Sequence, residues 1–380
     1  MRIELAALGV LAGTLALAQV VSRPPDVPFE KHTLDLGANE SCAVGDLNQD
    51  GRLDIIAGEN WFEAPGLLGG HWKRHKFRSV PFNNNYIDNF SDLVVDVNGD
   101  GYPDIISGGW FSKQLSWWQN PGKTKAAWRA HVIDEGMNME FAFLVDLNND
   151  GKALEVLPQY GGAAAVTAWY ELKNGKFEKH VVSPKAHGHG IGAGDVNGDG
   201  KADVLTPQGW FEAPNWTFHP DWSFKKHLSF MHVTDVNGDK RPDVVTANAH
   251  DYGIFWLERG EGEVQWTERK IDDTWSQAHA ITMTDLNGDG TRDFISGKRY
   301  LAHDHEPGAF EPPGIYWYEP LVVPKPIGNG QIQWVRHVID YGTRTGAGMQ
   351  IPVVDLDGDG DLDFAVGGKT GVFVFENRTK

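Results

Sequence analysis

Asp195-Val196-Asn197-Gly198-Asp199-Gly200-Lys201-Ala202-Asp203 is an acidic nine-residue loop with an apolar segment on each side. The loop occurs seven times, beginning at Asp46, Asp96, Asp146, Asp195, Asp235, Asp285 and Asp355. A period of roughly 40 to 70 residues points to stacked supersecondary units, each too small to bury its own apolar face.

The loop has the chemistry of a calcium clamp. Oxygen side chains at its first, third, fifth and ninth positions, with Gly at the sixth for a sharp turn, imitate the first part of an EF-hand loop. The ligand sets are Asp46, Asn48, Asp50 and Asp54; Asp96, Asn98, Asp100 and Asp104; Asp195, Asn197, Asp199 and Asp203; Asp285, Asn287, Asp289 and Asp293; and Asp355, Asp357, Asp359 and Asp363. Hard oxygen donors in that number suit Ca²⁺ better than a transition metal. The bidentate Glu of an EF-hand is missing and the flanks are β-rich, which excludes that motif; an ion-free Asx turn is the alternative. Two copies depart from the pattern. The third has Leu154 at the ninth position with Glu155 displaced by one, and the fifth has Lys240 in place of Gly, so weak or no binding is expected at both.

Residues 1–18 read as a secretory signal, with Arg2 near the start, an apolar run from Leu5 to Ala18 and the small-x-small site Ala16-Leu17-Ala18. Cleavage after Ala18 is expected, leaving a linker at 19–28 and one domain at 29–380. The run falls short of the roughly 20 apolar residues that span a bilayer, so the mature chain is expected to be secreted or periplasmic, without a membrane span. Cys42 is the only cysteine, which excludes an intramolecular disulfide; it reads as a small buried strand residue. The formal charge of -18 argues against nucleic acid and anionic membranes. Much of it lies in the repeat, because ligand positions of the seven loops hold 21 Asp.

Each loop joins two short apolar runs, such as Phe143-Leu144-Val145 before one and Asp54-Ile55-Ile56-Ala57 after another, which read as strands A and B of a hairpin. Strand C follows as two bulky residues and Glu or Gln: Trp61-Phe62-Glu63, Trp117-Trp118-Gln119, Trp169-Tyr170-Glu171, Trp210-Phe211-Glu212, Trp256-Leu257-Glu258, Trp317-Tyr318-Glu319 and Val374-Phe375-Glu376. Strand D carries an aromatic residue and, three places on, usually His: Phe29/His32, Trp72/His75, Trp128/His131, Phe177/His180, Phe224/His227, Trp266/Arg269 and Trp334/His337. These histidines recur at one position, so a structural role opposite the strand-C Glu is expected. The pattern predicts an all-β, seven-bladed β-propeller of four-stranded antiparallel blades, with the ring closed by residues 29–34 against the C-terminal blade.

The spacing Asp-x-Asn-x-Asp-Gly-x-x-Asp between apolar strands, followed by Trp-Tyr/Phe-Glu-x-Pro, resembles the FG-GAP/VCBS repeats of calcium-binding propellers, including the integrin α-subunit head. The resemblance covers nearly the whole mature chain. It implies the fold, but such propellers serve adhesion, ligand binding and sugar lysis alike, so it does not fix a function.

In a four-stranded meander the A-to-B turns lie on one face and the B-to-C and D-to-A connections on the other. The second face gathers the nonrepeating residues. Its longest excursion, Gly297 to Gly314, holds Arg299, Tyr300, His303, Asp304, His305 and Glu306; the equivalent loop one unit earlier offers His250, Asp251 and Tyr252. Six residues before each loop aspartate the sequence places Glu40, Phe90, Glu140, His189, Ser229, His279 and Met349 at the channel mouth. His187 lies two residues before His189, hence on the same side of a strand. The ring of His and carboxylate at the channel mouth reads as a divalent metal or acid-base site, with His187 and His189 as candidate ligands of a second divalent metal (Zn²⁺, Mn²⁺ or Mg²⁺) and Glu140, His279, Tyr300, His303 and His305 as candidate acid-base residues. His219, His232 and His250 carry no such expectation.

Ala186-His187-Gly188-His189-Gly190-Ile191-Gly192 also resembles part of the propeller domain of the aldos-2-ulose dehydratase family. That resemblance implies β-elimination on an oxidised sugar, with a divalent ion polarising a carbonyl. The cupin-type domains of that family have no counterpart in this length of chain. No nucleophile elbow, P-loop or dinucleotide fingerprint occurs. Two readings therefore stand: a secreted metal-dependent lyase or dehydratase acting on carbohydrate or a keto-sugar, and a calcium-stabilised propeller that binds carbohydrate or protein without turnover.

Overall fold

Among the described residues strands account for every regular element, and the first of them pairs with the last. In the computed structural model, which describes residues 23–262, 265–323 and 331–380, Phe29–Asp35 runs antiparallel to Gly371–Asn377 from Phe29 opposite Asn377 to Asp35 opposite Val372. The C-terminal edge is thus covered by the N-terminal strand, which removes an exposed template for intermolecular pairing. The expected leader at 1–18, its cleavage site and linker residues 19–22 lie outside the described residues.

Five sheets have four strands and one has eight; a short ribbon of Phe82–Asn83 and Tyr86–Ile87 stands by itself. The eight-stranded sheet consists of two antiparallel meanders whose innermost strands, Ile191–Gly194 and Phe230–Thr234, run parallel side by side. A side chain cannot fit between them at Gly192, where a Cβ would lie 1.9 Å from the Met231 carbonyl oxygen. The glycines of this strand permit two backbones to meet at hydrogen-bonding distance. The architecture is an all-β β-propeller. Among the described residues no helix is long and apolar enough to cross a membrane.

The acidic loops are A-to-B turns with one recurring internal network. In the first, the Asp46 carboxylate accepts from the amides of Asp50 and Gly51, Asn48 accepts from Asp50, and Asp50 accepts from Arg52. The ninth-position Asp54 is fully buried and accepts from the amides of Leu47 and Ala64, tying strands A, B and C together. Burial, then the neighbouring loop carboxylates, push its carboxyl up to about 7. The two atypical copies keep the same frame. Glu155 reaches the Leu147 amide with its longer side chain, and Lys240 adopts φ 67° while its amide donates to Asp235.

Strands C and D are clasped by Trp-His-Glu stacks. His75 lies on Trp61 with ring centroids 4.1 Å apart and its Nε2 is 2.7 Å from Glu63; His180, on Trp169, sits 2.9 Å from Glu171. One assignment from the sequence is corrected. In the fourth unit the clasp is His219, stacked on Trp210 and 2.8 Å from Glu212, whereas His227 lies beyond strand D in the connector to the next unit. Trp216 and His219 have the same three-residue spacing as the other pairs, but follow strand C so closely that Phe224/His227 looked the better match. Cys42 is buried as expected, and burial with the Asp92 charge pushes its thiol far up.

Candidate metal centre

Two inner strands are interrupted where they reach the loop-rich face. In Asn138–Val145, Met139 pairs with Tyr160 and Phe141 with Gln159, leaving Glu140 as an extra residue; in Ala278–Thr284, Ala278 pairs with Lys298 and Ala280 with Gly297, leaving His279. A bulge re-aims a side chain that would otherwise alternate with its neighbours. Both side chains turn to one place, where His250 from the B-to-C loop after Asp243–Ala247 and His303 from the 299–313 excursion join them.

One donor atom from each of Glu140, His250, His279 and His303 lies within 4.8 Å of the other three. The far nitrogens are fixed first. His279 Nδ1 donates to the Gln277 carbonyl (3.3 Å), His250 Nδ1 meets His227 Nδ1 (2.6 Å), and His303 Nδ1 meets the Tyr86 hydroxyl (3.4 Å). The three Nε2 atoms are buried without a hydrogen-bond partner. An unpartnered buried polar atom is costly, and three aimed at one carboxylate need an account. Burial first, and the Arg299 guanidinium second, hold His279 well below the usual imidazole range and His303 down to about 2; His250 is lowered mainly by burial. All three are neutral near pH 7, which is the state in which imidazole ligates a metal. The donor set fits a divalent transition ion, with side-chain adjustments of about 1 Å to reach bonds of about 2.0–2.2 Å.

The surroundings hold Glu140 in place. His189 donates through Nδ1 to the Leu228 carbonyl (2.8 Å), while its Nε2 is 2.5 Å from Glu140 Oε2. Oxygen acceptors at both ring nitrogens favour imidazolium. The carboxylate accordingly raises His189 against its burial and is itself held well below the usual carboxyl range. Arg299, fully buried, bridges Glu40 (3.0 Å) and Glu140 (3.3 Å). A cavity of about 440 Å³ opens above the cluster, walled by Tyr86, Phe90, Trp110 and Phe111 on one side and by His303, Asp304 and Lys369 on another.

The sequence-derived candidates separate clearly in space. Glu140, His279 and His303 share the cluster and His189 abuts it. His187 points elsewhere, packed on Phe211 and Phe218 with Nε2 3.0 Å from Ser183 Oγ. His305 is exposed on the rim, and Tyr300 is not among the cavity-lining residues. Other cavity residues were given no role by the sequence reading, among them His250, Lys369 and Tyr86. His250 was named on the correct loop without a role, Lys369 sits in the B-to-C turn of the last unit, and Tyr86 belongs to the unexpected ribbon. Its turn, Asn84-Asn85, has φ 48° and 67°, a hairpin signal that Asn residues supply.

A family model described as an FG-GAP-like repeat matches residues 96–157 and 235–296. The chain carries FG-GAP-like repeats. No curated protein matches the chain. Among solved structures, the FG-GAP-like propeller is similar to the exotype rhamnogalacturonan lyase YesX, at 13% identity over 93% of this chain and 75% of that one, with a TM-score of 0.50. It is also similar to BBS1N in complex with ARL6DN, at 9% identity over 93% and 98% of the two chains, with a TM-score of 0.57. At such identities these likenesses establish the fold of the FG-GAP-like propeller alone.

Proposed function

We propose that the protein is a metal-dependent carbon–oxygen lyase that eliminates across a sugar acid or oxidised sugar at this cavity. The observation that carries the reading is the convergence of three buried, neutral, unpartnered Nε2 atoms on the Glu140 carboxylate. A nitrogen-rich set favours Zn²⁺ over Mn²⁺ or Mg²⁺. Beside the cluster, Arg299 and the His189 imidazolium offset Glu40 and Glu140, so a divalent ion leaves the cavity cationic and suited to an anionic substrate. Bound there, the ion would draw electron density from a carboxylate or carbonyl and so acidify the adjacent C–H. Tyr86, Phe90 and Phe111 offer faces for a sugar ring. One structural neighbour is a lyase, a likeness that supports the scaffold; the chemistry rests on the cluster.

In this reading the eight-stranded sheet counts as two blades, giving seven in all, and Ca²⁺ fills the A-to-B loops with intact ligand sets on the opposite face. The chain is exported through its N-terminal leader. The aromatic wall equally suits binding without turnover, and one experiment separates the two. Purified protein and a His250→Ala/His279→Ala variant are analysed for bound metal, then offered uronides and keto-sugars while unsaturated product is followed by ultraviolet absorbance. Transition metal and product in the native protein, both lost in the variant, are expected. Saturable sugar binding with no product at any metal loading would leave a binding module.

A further inference from the structure

Lys369 occupies the Gly368–Gly371 turn and lines the cavity. Its side chain is only 10% exposed. The ammonium nitrogen donates to the Leu301 carbonyl at 2.6 Å and stands 3.6 Å from the centroid of the Tyr86 ring. Its carboxylate partner is Glu40, with which it makes one long ion pair. Glu40 Oε1 is 3.8 Å away, and the other oxygen of Glu40 is taken by Arg299 at 3.0 Å. Asp304 contributes a weaker attraction from the rim, and Arg299 repels. None of these neighbours belongs to the His/Glu cluster.

We infer that Lys369 is the general base of this cavity, accepting the proton from the carbon adjacent to the carboxylate or carbonyl of a bound sugar. The assignment rests on the elimination reading above. The neutral amine takes the proton and becomes ammonium; the C–H pair moves towards the carbonyl oxygen, then returns to form the C=C bond as the β C–O bond breaks. The departing oxygen takes a proton from water, and the ammonium gives its proton to solvent, so no oxidant or reductant is consumed. Burial brings the amine down to about 8, which leaves a working fraction unprotonated near neutral pH. Tyr86 is unsuited to the task, because burial pushes its hydroxyl up to about 12. The ring beneath the amine and the Leu301 carbonyl set its direction, and the open side faces the cavity.

The test compares the intact wild-type protein with Lys369→Met and Lys369→Arg. Lys369→Arg, which retains a donor for the Leu301 carbonyl and a cation over Tyr86, is expected to keep the metal content and melting temperature of wild type. Product formation should fall by about 10²–10⁴-fold in each, the usual contribution of a positioned base. Arginine preserves the charge over Tyr86 but stays protonated, so it serves as the folded control. Independently of turnover, ¹³C-dimethylated Lys369, assigned by its absence from Lys369→Met, should titrate near pH 8. A variant within threefold of wild type, or a Lys369 resonance titrating above about 10 like an ordinary lysine, overturns the base assignment alone. Metal-loaded wild type that forms no unsaturated product overturns the reaction itself.

Discussion

His219 and His227 show what single residues contribute, because spacing alone assigned them the wrong way round. His219 stacks on Trp210 and bonds Glu212; His227 abuts His250. His219→Ala should therefore lower stability by about 1–2 kcal/mol, the scale of an aromatic pair with a charge-assisted hydrogen bond, and leave metal affinity unchanged. His227→Ala should do the reverse, weakening metal binding about 10-fold through a misplaced His250 while leaving the melting temperature in place. Thermal melts and chelator competition on the two proteins check both halves. Loss of a direct donor is worse: His279→Ala is expected to weaken metal binding by more than about 100-fold, exceeding the 10–100-fold typical of supporting residues. Glu140 and His279 were legible because each stands six residues before a loop aspartate. His187 misled because the two-residue rule holds only within a regular strand, and His187-Gly188-His189 precedes the strand that begins at Ile191.

Elements carry the next layer, and the excursion at 299–313 is the one that completes the cluster. It is pinned from beneath by Lys298, fully buried, whose ammonium donates to Ser276 Oγ (2.8 Å) and to the Gly308 carbonyl (2.6 Å), and from the side by the Tyr252 hydroxyl on Glu311. Gly308 has φ 71°, and a Cβ there would meet Ser276 Oγ at 2.2 Å. Gly308→Ala should accordingly shift the excursion, withdraw His303 and lower metal affinity about 10-fold without altering any ligand; metal titration with unchanged far-ultraviolet dichroism is the expected pair of results. The strand repeat was readable because apolar runs and turn chemistry recur in every unit. The bulges at Glu140 and His279, and the ribbon that brings Tyr86 over the cavity, break that recurrence and depend on partners distant in sequence. A period locates what repeats, whereas this site is assembled from what does not.

At the scale of the molecule, one acidic position of the repeat is carried into the interior by folding. Asp54, Asp104, Asp203, Asp243, Asp293 and Asp363 are all fully buried at the ninth loop position, and burial first, then nearby carboxylates (for Asp293, Glu319 ahead of the loop aspartates), raises each to between about 6 and about 8. At these six positions, without a cation, the native state thus binds more protons than the unfolded chain, whose Asp carboxyls titrate near 3.9, whereas the lowered His279, His303 and His250 act in the opposite sense. Stability contributed by these groups is then present below about pH 4 and lost as pH rises through about 6 to 8, the opposite of an ordinary salt-bridged Asp. The metal-free protein should melt at a lower temperature at pH 8 than at pH 5. Calcium competes with those protons, so saturating Ca²⁺ should reverse the slope, each ion adding about 2.7 kcal/mol at one hundred times its Kd. Replacing Asp293 by Asn should flatten the calcium-free slope, because its carboxyl is raised furthest and one of its oxygens has no hydrogen-bond partner. Melts from pH 5 to 8 in chelator and in Ca²⁺ measure all three effects. A melting temperature that saturating Ca²⁺ leaves unchanged across that range would mean that the loops are ion-independent turns, and that the seven-fold repeat of acidic side chains serves the backbone alone.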